Sequence, residues 1–191
     1  MAYRGRGSSP IAAWLLIVIN LVLFVARVIN PDLIFNLGLL PAIFWDRPWT
    51  LLTSIFIHAN IWHIFANMVT LYFFGSYLNR LLGTLKFLIV YFAGGILGGI
   101  VYLLLGESLS IAIGASGAIF ALGGVLAVMR PQLRVFVFPI PVPLPLWIAI
   151  IGGFAILSFL PNVAWQAHLG GLALGLVAGY FLRRRERYYY A

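Results

Sequence analysis

The sequence predicts an all-α polytopic membrane protein with six transmembrane helices, the fourth of them short and central. Three observations carry this. Hydrophobic residues make up 63% of the 191 positions and charged residues only 8%, against about 25% charged in an ordinary soluble domain. The charges fall in short clusters between apolar runs of membrane-spanning length. The chain has room for about six spans of about 20 residues with short loops, and no soluble domain of useful size fits beside them. The net charge of +8 does not imply nucleic acid, because the basic residues sit where they set topology. With no cysteine, disulfides and thiolate metal sites are excluded.

Residues 1–9 form a polar N-terminal tail with Arg4 and Arg6. The apolar run after it lacks a small-residue cleavage site, so it reads as a span and not as a signal peptide. Span 1 covers 11–29 and is stopped by Pro31. The connection 30–50 carries Phe35, Phe44, Trp45 and Trp49 and charges of mixed sign, as in a loop lying partly in the headgroup region. From Pro48 to Asn79 there is no charged residue, yet His58, Asn60, His63 and Asn67 all occur. This stretch divides into a short interfacial piece, 51–57, and span 2, 60–80. Span 3 covers 87–105, and its Gly94-Gly95 and Gly98-Gly99 pairs permit close helix approach.

Span 4 starts near Ala115 and must end before Pro131. At 1.5 Å per residue, about 15 residues reach only about 22 Å, short of a hydrocarbon core about 30 Å thick. One end of this helix therefore lies below the membrane surface, surrounded by protein or a water-filled cavity. Residues 135–182 are uncharged throughout, too long for one crossing. Pro139, Pro141, Pro143 and Pro145 forbid regular helix at the start, and Pro161-Asn162 breaks the middle. Span 5 is thus 145–160 and span 6 is 163–182, so 10–183 is one membrane domain and 184–191 a basic, aromatic tail. The arginine cluster 183–187 reads as an anchor on anionic lipid. Ten of the twelve basic residues fall on the side of the two tails, which makes both termini cytoplasmic.

With that topology spans 2, 4 and 6 all begin on the outer side. They carry His63, Asn67, Ser116 and His168 to a similar depth, a few ångströms to about 10 Å below the outer face. His63 and Asn67 are four apart and share one helix face. Ionisable groups inside a membrane are costly and by default mark function. A serine hydroxyl needs an adjacent base to become a nucleophile, and His168 is the candidate. No acidic residue lies within a span, so the arrangement reads as a Ser–His dyad without a carboxylate. Acyl transfer also needs donors for an oxyanion. Backbone N–H groups near Ala115 and Ser116, helped by the helix dipole, and the side chains of His63 and Asn67 are the candidates. Gly114 and Gly117 leave room for a substrate backbone. His58 reads as structural, within the first loop.

These residues resemble a known family. Gly114-Ala115-Ser116-Gly117 resembles the GxSG of rhomboid intramembrane serine proteases. His63-Ile64-Phe65-Ala66-Asn67 resembles their HxxxN on the second helix, and Ala167-His168-Leu169-Gly170-Gly171 with Gly175 their AHxxGxxxG on the sixth. The resemblance covers roughly 10–183 and implies a rhomboid-like bundle in its minimal six-helix, prokaryotic-type form. It implies Ser116 as nucleophile, His168 as base, and His63, Asn67, Ala115 and Gly114 at the oxyanion and substrate site. It also implies single-span membrane-protein substrates in a lipid bilayer, no cofactor and no metal, and a site opening to the extracytoplasmic side of a cell membrane. The 30–50 connection resembles the family's embedded first loop and span 5 its lateral gate. Two positions depart from the pattern: Trp49 is followed by Thr50 where relatives often have arginine, and the aromatic one turn after the serine is Phe120 instead of tyrosine.

Other chemistries fit less well. Zinc proteolysis lacks a His pair at i,i+4 with a glutamate, aspartyl proteolysis lacks aspartates within spans, and Ala118 breaks the soluble GxSxG elbow. The rival class is a channel, transporter or non-catalytic membrane-protein binder using the same polar cavity. A transporter would more often show internal repeats or charges within spans, and neither is present.

Overall fold

The computed structural model describes residues 9–137 and 140–188, with side chains up to Arg183. The N-terminal tail 1–8, Pro139, the side chains of the cluster beyond Arg183 and residues 189–191 lie outside the described residues. The apolar run Ile11–Ile29 forms α1, with the expected bounds. The connection after it is ordered in short pieces: α2 (Leu33–Leu37), a 3-10 turn (Pro41–Asp46), α3 (Thr50–Thr53) and a second 3-10 turn (Ser54–Phe56). The interfacial piece expected at 51–57 is this last pair.

Span 2 begins at Asn60, whose side chain accepts from the His63 N–H and caps the helix. It runs as α4 (Ile61–Thr70), a π-helical turn (Leu71–Gly75) and α5 (Ser76–Leu82), with helical backbone angles at both junctions. Gly83, at φ +84°, ends it. Then follow α6 (Thr84–Leu105), α7 (Ser116–Met129), α8 (Leu146–Ser158) and α9 (Trp165–Tyr188). The chain is not purely helical: β1 (Arg134–Val135) pairs antiparallel with β2 (Leu144–Pro145). The prolines between them, which exclude helix, leave extended backbone free to pair there.

Of the described helices, α1 and α6 are long and apolar enough to cross a membrane on their own, while α7 and α8 are shorter apolar helices. The proline limits at 131 and 145 account for the short pair. Polarity is inverted relative to a soluble protein. Asn20, Ser54, His58, Asn67, Asn79 and His168 are buried, whereas Leu15, Val22, Phe73, Ile89 and Leu104 are exposed. An exterior this apolar, with polar side chains held inside, suits lipid and not water.

Helix α7 is the centre. Eleven of its 14 residues are buried, as expected of a helix apolar on every face. It packs on α9 through glycine. A Cβ on Gly171 would run into the Gly117 carbonyl, one on Gly175 into that of Ala121, and one on Gly179 would lie 3.0 Å from Val125. Backbones at this separation leave no room for side chains, so a ladder of glycines four apart on α9 makes the α7–α9 contact. On the other flank Gly94 of α6 meets Ala121 in the same way.

Candidate active site

The N-terminus of α7 is held below its flanking loops by backbone bonds, which answers how its N–H groups can be there. Leu39 and Ala112 exchange N–H···O bonds of 3.0 and 2.9 Å, Ala42 donates to Ser108 at 2.9 Å, and the Gly114 N–H donates to the Ser54 carbonyl at 2.9 Å. The first loop is itself braced. Arg47 Nη1 donates to the Phe35 carbonyl (2.9 Å), Trp49 Nε1 to that of Asn36 (3.1 Å) and Thr53 Oγ1 to that of Leu37 (2.8 Å). Thr50, at the position where an arginine was the pattern, bonds locally to the Arg47 carbonyl. Arg47 anchors the loop instead.

Ser116 opens α7 and His168 lies in the first turn of α9. The ladder below them brings Ser116 Oγ to 2.7 Å from His168 Nε2. Phe120, one turn on from the serine, lies against the imidazole with ring centroids 4.7 Å apart and 33° between planes, fixing the ring without a hydroxyl. No polar group among the described residues bonds His168 Nδ1. A small cavity beside the serine is walled by Ser54, Gly114, Gly117 and Ala167.

His63 lies across Gly114 from the serine. A Cβ built on Gly114 would fall 2.6 Å from His63 Nε2 and 3.8 Å from Ser116 Oγ. Only glycine fits there, and its φ of +119° suits no other residue. His63 Nδ1 accepts from the Ala59 N–H at 3.3 Å, which assigns the proton of a neutral ring to Nε2, the nitrogen facing Gly114. Gly114→Ala is therefore expected to displace the His63 ring and to destabilise the fold by about 1–3 kcal/mol, read as a lower midpoint in thermal unfolding.

Three of the sequence candidates, Asn67, Ala115 and Gly114, sit differently from the simplest expectation. Asn67 is buried, but its Nδ2 donates back to the His63 carbonyl at 2.8 Å. One amide hydrogen is thus engaged and one remains. The Ala115 N–H points at His58 Nε2, 3.5 Å away, and that of Gly114 is taken by Ser54. Of the backbone donors considered, the Ser116 N–H is left nearest the hydroxyl. His58, read from the sequence as structural within the first loop, lies between the second 3-10 turn and α4. It is fully buried, and its ring stands edge-on to His63 with centroids 4.9 Å apart. Burial, then the neighbouring His63, pushes its pKa down to about 3. The ring is neutral and keeps a lone pair for the Ala115 N–H. The signal available was the uncharged stretch that contains it. Its partner, 57 residues away, was not visible there.

Residues 46–185 match the Rhomboid domain. The chain belongs to the rhomboid family. It is 33% identical over 146 residues to the putative rhomboid protease YdcA of Bacillus subtilis, covering 74% of this chain and 71% of that one. It is 32% identical over 143 residues to RHOMBOID-like protein 1 of Arabidopsis thaliana, covering 74% of this chain but 36% of the plant protein. With rhomboid protease GluP of Bacillus subtilis it shares 34% over 131 residues, 68% of this chain and 25% of the relative. The chain thus spans about a third of the Arabidopsis relative and a quarter of GluP. The rhomboid match begins after α1 and includes His58, His63, Asn67, Gly114, Ser116, Phe120 and His168, in a membrane-associated, largely helical fold.

Proposed function

We propose that this rhomboid is an intramembrane serine endopeptidase acting through a Ser116–His168 dyad. The observation that carries the reading is the 2.7 Å contact between Ser116 Oγ and His168 Nε2, within reach for proton transfer. In this reading His168 carries its proton on Nδ1 and accepts the hydroxyl proton at Nε2. Ser116 Oγ bonds to the scissile carbonyl carbon, and negative charge develops on the carbonyl oxygen. His63 Nε2–H, the Ser116 N–H at the positive end of α7 and the remaining Asn67 amide hydrogen receive that charge. On collapse the C–N bond breaks, and His168 returns its proton to the leaving amine. Water then attacks the acyl-serine with His168 again as base, releasing the acid and restoring Ser116. No cofactor or metal enters these steps.

The substrates are membrane proteins presenting a transmembrane segment, cleaved at a small residue that can approach between Gly114 and Gly117. The bundle has six spans, with both termini cytoplasmic and the site toward the extracytoplasmic face. The distribution of basic residues supports that orientation.

Labelling with a fluorophosphonate probe in detergent tests the dyad. Wild type should label, while Ser116→Ala and His168→Ala, shown to be folded, should not. A folded wild type that stays unlabelled would sink the reading and leave a polar cavity for binding or transport. Asn67→Ala is expected to lower turnover of a single-span substrate by roughly 10–1000-fold, the range for one oxyanion donor. Undiminished turnover would remove Asn67 from the site.

A further inference from the structure

A second cavity lies away from the serine, at the other end of the bundle. It is a groove of about 640 Å³ between α1 and the lower half of the second span, lined by Trp14, Tyr72, Phe73, Ser76, Tyr77 and Arg80. Positions 72, 73, 76, 77 and 80 recur at helical spacing, so these five residues form one stripe on the rod from Ile61 to Leu82. The stripe starts in the π-helical turn Leu71–Gly75. Such turns are rare and concentrate at functional sites. Trp14 closes the deep end, its ring 5.1 Å from that of Tyr72. From Tyr72 to Arg80 the groove runs about 12 Å along the axis: aromatic below, cationic at its mouth.

Two polar groups there lack a hydrogen-bond partner among the described residues. Ser76 Oγ is buried without a hydrogen bond. Arg80, exposed, takes part in no hydrogen bond or ion pair among the described residues. The acidic residues Asp32, Asp46 and Glu107 belong to connections at the serine end, so nothing on the described part of this end neutralises Arg80.

We propose that this groove is a binding site for a phospholipid of net negative headgroup. The phosphodiester accepts from the Arg80 guanidinium, whose planar fork suits two phosphate oxygens. The upper part of an acyl chain lies against Tyr72, Phe73 and Trp14. A zwitterionic lipid presents the same phosphate with a cation beside it, which Arg80 repels. The site is independent of the dyad, and its test does not read proteolysis.

The full chain in detergent is titrated with phosphatidylglycerol or phosphatidylcholine of identical acyl chains, and lipid retention is followed by native mass spectrometry. Wild type should retain phosphatidylglycerol in preference. Arg80→Gln should weaken that retention about fivefold, the worth of one cation at a lipid surface. Arg80→Lys should keep most of it, and Lys86→Gln, which removes a cation outside the groove, should leave it unchanged. Ser76→Leu, which fills the groove without altering charge, should weaken it as well. Equal retention of the two lipids by wild type, or undiminished preference in both Arg80→Gln and Ser76→Leu, overturns the proposal. If Arg80→Gln does not fold, Ser76→Leu decides alone, and undiminished preference in that variant overturns the proposal.

Discussion

Ser116→Ala is expected to reduce turnover of a transmembrane substrate by about ten-thousandfold or more while leaving thermal unfolding nearly unchanged. The hydroxyl contributes one contact, to His168 Nε2, and α7 is held by burial and by its glycine contacts with α9. Deleting one oxygen therefore leaves the packing intact. His168→Ala should lose activity to a similar degree. Each member is useless without the other, so the double variant should be no worse than either single one; such non-additivity is the mark of residues acting as a unit. Turnover in proteoliposomes for the two single variants and the double variant checks this. Losses that multiply in the double variant would mean that the serine and histidine act separately.

A carboxylate is not expected to share the work. His168 Nδ1 meets no acidic group among the described residues, and Phe120 supplies by ring contact the orientation that an acid provides in a triad. In the proposed dyad His168 is thus positioned by packing. Loss of that contact in Phe120→Ala should fall far short of the loss from His168→Ala.

How much of this was legible in the sequence depends on the range of the forces involved. Helix ends were written locally: Asn60 as the start of one span, Pro31 and Pro131 as stops, Pro145 as the start of another. The level shared by His63, Ser116 and His168 followed from counting residues inward from those ends. The glycine ladder at 171, 175 and 179 announced close backbone approach, because small residues four apart have few other uses on a buried helix face. Contacts made across the fold could not be read in this way. The donation of the Ala115 N–H to His58 and the Gly114–Ser54 bond join residues whose pairing depends on how the loops fold over α7. The π-helical turn was hidden for a different reason. One extra residue in a turn leaves an apolar run apolar, so Leu71–Gly75 carries no mark in hydropathy.

The packing argument makes the second large prediction. Gly171→Ala is expected to lower both stability and activity, even though it touches neither catalytic side chain. The added methyl overlaps the Gly117 carbonyl, a backbone atom that cannot swing aside. Helices α7 and α9 must then separate or slide. Overpacking of this kind costs about 1–3 kcal/mol, visible as a lower unfolding midpoint in detergent. Gly171 is three residues from His168 on the same face of α9, and Gly117 directly follows Ser116. The displacement therefore acts at the 2.7 Å contact itself. A misplacement of about 1 Å can cost about a hundredfold in rate, so fluorophosphonate labelling should slow by roughly that factor. Gly152→Ala is the control. A Cβ there meets nothing within 4 Å, and alanine favours helix over glycine by about 1 kcal/mol, so neither the midpoint nor the labelling rate should fall. If Gly171→Ala behaves like Gly152→Ala, the dyad is not held together by the α7–α9 backbone contact, and the positioning of His168 has to come from Phe120 and the loops instead.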